Sequence, residues 1–305
     1  MIEVRDVSKW YGNFQALKDI SFSINEGEIV GFLGPNGAGK TTAMRIITGY
    51  FLPNTGTISI NGISMEENPA EAKKLLGYLP EIPPLYPEMP VNEYLKFVAE
   101  LNGVPRSNIK QRLDFVIEKT SLQEKYYSKI KTLSKGLKQR VGIAAAVIHD
   151  PKVIVLDEPT IGLDPLQIIE IRNLIKDIAK EKTIILSSHI LAEVEEVCSR
   201  VIIINNGEII AEDSTENLRK RLQPDRLFLI KINEENDIST IVEKINGVIS
   251  CTSENPKEYI IRTNDISSIQ AVITKSIVEN GFSLLEVKEI ELSLEEIFAK
   301  LIKGE

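Results

Sequence analysis

The sequence predicts an α/β protein with two domains. The first is large and built on a parallel sheet, and the second, which follows it along the chain, is a small α+β domain. Over residues 1–222, short β-branched runs alternate with helical patterns, which is typical of an α/β fold. The run Val153–Leu156 is apolar at every position, as in a strand buried on both faces of a parallel sheet. From residue 225 onwards the pattern becomes β-α-β-β-α-β, the order of a ferredoxin-like domain.

The large domain contains eight strand candidates, at 2–7, 20–24, 28–33, 57–60, 153–157, 183–187, 201–205 and 208–211. Residues 91–150 read as a helical subdomain, in which one helix face carries Tyr94, Phe97, Val98 and Leu101. Asp164 followed by Pro165 predicts the N-cap and first position of a helix that reaches about residue 180. Asp213 with Glu216 resembles a capping box and predicts a short helix to about residue 222.

The small domain is predicted to cover residues 225–305, after a seam at Pro224-Asp225. Its strand candidates lie at 226–232, 248–252, 258–263 and 283–290, and its helix candidates at 237–246 and 266–280. The tail over 293–302 is amphipathic, a pattern that favours packing against a core over a membrane or partner face.

The most informative segment has the spacing Gly-x4-Gly-Lys-Thr of a phosphate-binding P-loop, and its residues are Gly34, Pro35, Asn36, Gly37, Ala38, Gly39, Lys40, Thr41 and Thr42. An apolar strand pattern precedes it and a helical pattern follows, a context that a chance glycine-rich turn does not explain. The glycines allow successive backbone N–H groups to point at one anion, and the helix N-terminus adds a positive dipole. Lys40 is predicted to reach the β- and γ-phosphates, and the Thr41 hydroxyl to bind Mg²⁺.

Two adjacent carboxylates, Asp157 and Glu158, follow the apolar run Val153–Leu156. They are expected to emerge at the carboxyl edge of the sheet, beside the P-loop of a neighbouring strand. Asp157 is predicted to hold Mg²⁺ directly or through water. Glu158 points the other way, as successive strand residues do, and is predicted to accept a proton from an attacking water. The alternative is that two acidic residues merely end a strand.

The composition narrows the class of protein. The chain has 305 residues, of which 43% are hydrophobic and 26% charged, as in ordinary globular proteins. A net charge of −8 argues against a nucleic-acid-binding face. The sequence has no apolar run of the roughly 18–20 residues that span a bilayer and no signal-peptide pattern, so we expect a cytoplasmic protein. Cys198 and Cys251 are isolated, which suits reduced thiols rather than a metal or redox site.

A further motif, of the LSxG type, indicates a resemblance to a known family. The segment Leu133–Arg140 reads LSKGLKQR and ends 17 residues before Asp157. The order of P-loop, helical insertion, LSxG-type loop, Asp-Glu strand and a lone histidine resembles an ABC-transporter ATPase subunit over residues 1 to about 220. Lys135 and Leu137 stand where the commonest form of the loop has glycine and glutamine. This variant resembles bacterial exporter ATPases that pair with separate membrane subunits, and the whole chain looks most like those of gliding-motility-type transporters.

The resemblance implies ATP and Mg²⁺ as cofactors and gives roles to three residues around them. Tyr11 falls where the family stacks an aromatic ring on adenine, with Trp10 as the competing candidate. His189 resembles the switch histidine that touches the γ-phosphate, whereas His149 is expected to be structural. Glu81 stands where the family usually has glutamine. A carboxylate still offers an oxygen to Mg²⁺ but adds negative charge beside the phosphates.

The resemblance also implies partners. Ser134 and Gly136 resemble the signature loop, which contacts the γ-phosphate bound by the opposite subunit, and Asp164 closes a loop that couples the two sites. One chain has one P-loop and one signature loop. Two ATPase subunits, identical or homologous, are therefore expected to enclose two ATP molecules. A separate membrane subunit would hold them at the inner face of the plasma membrane. The proline-rich run over 83–90 is either its docking surface or a rigid connector.

Two other classes fit less well. Soluble ABC ATPases that act on nucleic acid or the ribosome tend to carry two ATPase cassettes or a long coiled coil, but this sequence has one P-loop and no sustained heptads. A P-loop GTPase or kinase would leave the LSxG-type loop unexplained, and no Asn/Thr-Lys-x-Asp run that reads guanine follows the P-loop.

Overall fold

The computed structural model describes residues 2–222, 225–235, 237–264 and 268–290, together with Glu296 and Phe298. The chain forms two compact units, Met1–Ser214 and Thr215–Glu305. The seam predicted at Pro224-Asp225 lies further along the chain than this division, and Pro224 is outside the described residues. Of the predicted amphipathic tail over 293–302, only Glu296 and Phe298 are described.

The first unit alternates strands and helices along the chain. Its strands are β1 (Ile2–Tyr11), β2 (Phe14–Ile24), β3 (Ile29–Leu33), β4 (Thr55–Ile60), β5 (Ile63–Ser64), β6 (Leu76–Leu79), β7 (Val153–Asp157), β8 (Thr183–Ser188), β9 (Arg200–Asn205) and β10 (Glu208–Ser214). Its helices are α1 (Lys40–Ile47), α2 (Pro69–Lys74), α3 (Val91–Leu101), α4 (Arg106–Lys119), α5 (Lys135–Val147), α6 (Pro165–Ala179) and α7 (Leu191–Val197). Each predicted strand of this part overlaps one of these strands.

The central sheet has the strand order β10-β9-β3-β8-β7-β6. Strands β9, β3, β8, β7 and β6 run parallel, and β10 is antiparallel to β9. Every residue of β7 is buried, because helices cover both faces of a parallel sheet and apolar side chains are therefore favoured throughout the strand.

The sequence predicts that the P-loop follows a strand next to the one that ends in Asp157. That prediction was wrong, because the P-loop strand β3 and the Asp157 strand β7 are not neighbours. Strand β8 pairs with both of them and lies between. Parallel strands require crossover connections, which separate the order along the chain from the order in the sheet. As a result, Ser187 and Ser188 at the end of β8 reach the carboxyl edge between the P-loop and Asp157.

A second sheet with the order β2-β1-β4-β5 is antiparallel. In β2 the buried residues Ile20, Phe22 and Ile24 alternate with exposed serines, as expected for a sheet with one face on the core. Helix α1 contacts β2 of this sheet and β7 and β8 of the central sheet. Its buried residues Met44, Ile46 and Ile47 belong to one core that both sheets share, so the P-loop is anchored to both.

Helices α3, α4 and α5 fall within the segment over 91–150 that the sequence predicts to be helical. The core face of α3 differs from the predicted one. It buries Val91, Tyr94, Leu95 and Ala99, whereas Leu101 is 69% exposed. Of the predicted face only Tyr94 is buried, so spacing alone located an apolar stripe but not what that stripe faces.

The second unit consists of α8 (Thr215–Leu222), β11 (Arg226–Ile232), α9 (Ser239–Val242), β12 (Val248–Asn255), β13 (Glu258–Thr263), α10 (Ile269–Glu279) and β14 (Leu284–Ile290). Its sheet is antiparallel with the order β12-β13-β11-β14. Ile269, Ile273 and Ile277, four residues apart on α10, pack in a core with Phe228 and Ile261 of the sheet.

Two local predictions need correction. Asp213 lies in β10, and its Oδ1 accepts a hydrogen bond from the Ser214 backbone N–H at 2.7 Å. Helix α8 begins at Thr215, one residue later than a helix with Asp213 as its N-cap would begin. The helix predicted over 237–246 is only the single turn α9, which ends at Val242. Gly247, with φ of 101°, then leads the chain into β12.

Candidate active site

The P-loop joins the end of β3 to the start of α1. Gly37 and Gly39 have φ of 81° and 111°, in the left-handed region where a side chain is strained. A Cβ atom on Gly39 would also lie 2.7 Å from the Ala16 carbonyl oxygen. The glycines at these two positions are therefore required by the fold of the loop, which ends on the N-terminus of α1.

Lys40 is the first residue of α1, and its side chain is buried. Its Nζ donates to the carbonyl oxygens of Gly34 at 2.7 Å and Pro35 at 3.3 Å, and lies 3.5 Å from Glu158 Oε1. The ammonium is thus held at the loop by carbonyl groups, at the place where the sequence predicts phosphates.

Asp157 is completely buried at the end of β7. Its Oδ1 accepts hydrogen bonds from Ser187 Oγ at 2.5 Å and Thr41 Oγ1 at 3.4 Å. Burial raises the pKa of the Asp157 carboxyl above its ordinary value, and the nearby charges of Glu158 and Glu81 act in the same direction. Burial likewise raises the pKa of Tyr78, to about 12.

The residues around Asp157 fit a magnesium ion. Asp157 Oδ2 is buried and has no hydrogen-bond partner in the described part of the chain, which leaves a carboxylate oxygen free to bind a cation next to the Thr41 hydroxyl. Magnesium usually takes one or two carboxylates and completes its shell with waters and substrate phosphates. The described residues contain no group of three or more histidine, cysteine or acidic side chains that could hold a metal ion by themselves.

Glu158 lies between a cation and a histidine. One carboxylate oxygen is 3.5 Å from Lys40 Nζ, and the other is 2.7 Å from His189 Nδ1. Its φ of 49° is left-handed, and its backbone N–H donates to the carbonyl oxygen and the hydroxyl of Ser187, each at 3.1 Å. Strained backbone of this kind persists where the surroundings hold it, often at functional sites.

A cavity of about 500 Å³ brings the predicted residues together. It is lined by Tyr11, Asn36, Gly37, Gly39, Lys40, Thr41, Thr42, Glu81, Glu158 and His189, and also by Phe14, Ala16 and Ile161. Trp10, the alternative to Tyr11, is not among the lining residues. Gly34, Pro35 and Ala38 belong to the loop without lining the cavity, as does the buried Asp157 beneath it.

Sequence reasoning missed Phe14 and the serine Ser187. Phe14 pairs with Tyr11 across a two-residue turn, so the two aromatic residues that bracket Gly12-Asn13 were an available signal. No such signal existed for Ser187, because its contact with Asp157 depends on β8 lying beside β7.

Three further predicted residues, Ser134, Gly136 and Asp164, do not line the cavity either. Ser134 caps α5 by accepting from the Leu137 N–H at 3.3 Å, and Asp164 caps α6 by accepting from the Gln167 N–H at 3.0 Å, as predicted. A Cβ atom on Gly136 would lie 2.4 Å from Gln167 Oε1, so the LSxG-type loop packs closely against α6.

A loop that cradles an anion and a carboxylate placed to take a proton from water are together what nucleotide hydrolysis requires. The fold and the site therefore define a P-loop ATPase. The profile of the ABC transporter family matches residues 17–161. The chain belongs to the ATP-binding proteins of ABC transporters, and it hydrolyses ATP.

Known relatives span the whole chain. The bacitracin transport ATP-binding protein BcrA of Bacillus licheniformis is 36% identical over 100% of this chain and 98% of its own length. The linearmycin resistance ATP-binding protein LnrL of Bacillus subtilis strain 168 is 33% identical over 99% of this chain and 98% of its own length. Among the residues that the structure describes, none forms a helix both long and apolar enough for a membrane span.

Solved structures share the fold of the first unit. The ATP-binding subunit of an ABC transporter is 34% identical, with a TM-score of 0.67 over 73% of this chain and 93% of that one. A dimeric ATP-binding cassette in a post-hydrolysis state, bound to ADP and Pi, is 26% identical, with a TM-score of 0.64 over 70% of this chain and 98% of that one. Dimerisation is thus observed in a similar protein.

Proposed function

We propose that this chain dimerises when it binds ATP and that the dimer powers a membrane-embedded exporter of the bacitracin and linearmycin type. The observation that carries the proposal is the position of Glu158 between Lys40 and His189 in a cavity that the LSxG-type loop of the same chain does not line. Each chain would then supply one half of a site and need the other half from a partner.

In this proposal each side chain has one task. The P-loop N–H groups and Lys40 bind the β- and γ-phosphates, and Tyr11 stacks on adenine, with Phe14 beside it. Thr41 and Asp157, with Glu81 at the cavity wall, would hold Mg²⁺, which offsets negative charge on the phosphates. Glu158 accepts the proton of the attacking water, a step worth about 10²–10⁴ in rate. His189 orients Glu158 through its Nδ1 and faces the γ-phosphate.

Ser134 and Gly136 complete the site in trans. Ser134 lies at the N-terminus of α5, a helix of 13 residues, whose first N–H groups and dipole favour an anion. A symmetric pair of chains would place each such terminus against the ATP of the other, and Asp164 at the start of α6 would connect the two sites.

A second cavity, of about 440 Å³, is the proposed docking site of the membrane subunit. It is lined by the predicted α3 stripe Tyr94, Phe97, Val98 and Leu101 and by the prolines Pro80, Pro83 and Pro84. Leu101 of this stripe is 69% exposed, and an apolar side chain exposed beside a proline-rich wall is typical of an interaction site. Because Glu81 lies in the same loop and lines the first cavity, closure around ATP would move this surface.

The finer assignments rest on the relatives and on topology. The names of the bacitracin and linearmycin proteins support export of antibiotic compounds. Neither name mentions gliding motility, which is the transporter type expected from the sequence. For the second unit, the order β-α-β-β-α-β with an antiparallel sheet supports a ferredoxin-like fold. The partner would keep the chain at the inner face of the plasma membrane.

The test is to express the chain with its membrane subunit in a bacitracin- or linearmycin-sensitive host and measure growth inhibition. Resistance should rise with the wild-type chain and not with Glu158→Gln, whose turnover should fall at least roughly 100-fold.

The docking surface is tested by purification. Leu101→Asp should keep ATPase activity in isolated protein but lose the membrane subunit on purification. Tyr127→Asp, at a residue that is 80% exposed and does not line the second cavity, is the matched control. Normal turnover of Glu158→Gln would refute the assigned base.

A further inference from the structure

A buried carboxylate outside the cavity ties together the loops that carry Glu158 and His189. Glu193 lies on α7, four residues after His189, and is 2% exposed. Its Oε2 accepts hydrogen bonds from Thr160 Oγ1 at 2.5 Å and from Ser188 Oγ at 3.1 Å. Thr160 follows Glu158 by two residues, and Ser188 immediately precedes His189. One oxygen atom therefore joins the β7–α6 loop to the β8–α7 loop.

The other oxygen of the same carboxylate is not satisfied. Glu193 Oε1 is buried without a hydrogen-bond partner in the described part of the chain, and so is Arg172 Nε on α6. Arg172 Nη2 lies 4.0 Å from Glu193 Oε1, while Arg172 Nη1 pairs with Glu196 at 3.0 Å. A buried charge that is only partly paired is costly. A small approach of α6 to α7 would let Arg172 close on Glu193 and relieve that cost.

We propose that Glu193 is a positioning residue for ATP hydrolysis, which holds the Glu158 and His189 loops in register and is itself held near α6 by Arg172. The proposal rests on the roles proposed for Glu158 and His189. Glu193 does not line the cavity, so it is assigned no direct part in the chemical step. It acts by fixing the distance between the base and the histidine. A misplacement of about 1 Å can lower a rate roughly 100-fold when geometry controls the chemical step.

Two conservative variants of Thr160 test its hydrogen bond to Glu193. Thr160→Val keeps the shape of the side chain and removes the hydroxyl that donates to Glu193, whereas Thr160→Ser keeps the hydroxyl. Glu193→Gln keeps the size of Glu193 and removes its charge towards Arg172. Glu196→Gln removes the other acidic partner of Arg172 at a side chain that is 56% exposed, and it serves as the control for Arg172 alone.

The experiment measures kcat for ATP, the Kd for ATP and the urea unfolding midpoint of the full chain carrying each variant. We expect Thr160→Val and Glu193→Gln to lower kcat roughly tenfold or more, with Kd within about twofold, because transition-state geometry and not ground-state binding is lost. Thr160→Ser and Glu196→Gln should stay within about twofold of wild type in kcat.

Two results would overturn the proposal. One is a kcat within twofold of wild type for Thr160→Val, which remains informative even if Glu193→Gln fails to fold. The other is a loss of kcat matched by an equal loss of ATP affinity or of folded protein, which would show a purely structural role. Glu158→Gln is assayed alongside. If it retains turnover, the proposed base is wrong; if it is inactive while Thr160→Val is normal, only the role of Glu193 fails.

Discussion

At the scale of single residues, two adjacent carboxylates have opposite surroundings. Asp157 is completely buried, accepts hydrogen bonds from two hydroxyl groups and keeps one oxygen unpartnered among the described residues. Glu158 contacts the ammonium of Lys40 and the ring of His189. Pairs of titratable groups in contrasting environments commonly divide the work of catalysis. In the proposed mechanism the division is between holding a cation and taking a proton.

The raised pKa of Asp157 makes a prediction about stability without nucleotide. A carboxyl whose pKa is raised by folding destabilises the folded chain at pH values above that pKa, and the cost disappears as the pH falls through it. Asp157→Asn removes the charge and keeps an oxygen for Ser187. We therefore expect its urea midpoint to exceed that of wild type at pH 7.5, by a gap that narrows as the pH is lowered.

Activity should respond in the opposite direction. Magnesium-dependent turnover of Asp157→Asn should fall by roughly 100-fold or more, because a carboxylate ligand is lost. A nucleotide-free Asp157→Asn protein less stable than wild type at pH 7.5 would show that the buried charge is already compensated.

At the scale of helices and strands, His149 links α5 to β6. It follows α5 by two residues, and its Nε2 lies 2.9 Å from the Leu76 carbonyl oxygen, so the ring donates there. Burial lowers the pKa of His149, and the nearby charge of Arg112 adds to the effect. These contacts support the structural role expected for His149, which does not line the ATP cavity but does line the second cavity.

This histidine predicts a pH dependence of folding. Below the ordinary histidine pKa of about 6.5, the unfolded chain binds a proton that the folded ring resists, so stability is lost as the pH falls from there towards the lowered folded pKa. The loss is at most about 1.4 kcal/mol per pH unit. His149→Gln keeps a donor for Leu76 without titrating. Urea unfolding at pH 7.5 and 5.5 should show a smaller loss for this variant, and equal losses would exclude His149 as the cause.

Local features were predictable from sequence where their causes are local. The P-loop glycines, the Asp164 cap and the apolar strand β7 each follow from steric or burial rules that operate within a few residues. What could not be predicted depends on sheet order. The insertion of β8 between β3 and β7 decides that Ser187 meets Asp157. The face that α3 buries likewise depends on its neighbours in space.

At the scale of the whole molecule, the chain contains two units with separate hydrophobic cores. One core joins both sheets of Met1–Ser214 around α1, and the other packs α10 on the sheet of the second unit. Units with their own cores usually fold on their own.

A fragment of residues 1–214 should therefore unfold cooperatively and bind ATP within about threefold of the affinity of the full chain, since the cavity residues all lie in it. Circular dichroism and calorimetric titration would measure both. A fragment without cooperative unfolding would show that the first unit depends on residues after 214.

In the proposed dimer each chain holds half of an ATP site, and a second copy completes it. Sedimentation velocity of full-length Glu158→Gln with Mg²⁺ and either ATP or ADP tests it most directly. We expect a monomer with ADP and a dimer with ATP, and loss of that dimer when Gly136→Asp is added. A Glu158→Gln chain that binds ATP and stays monomeric, or a dimer indifferent to Gly136→Asp, would contradict the claim.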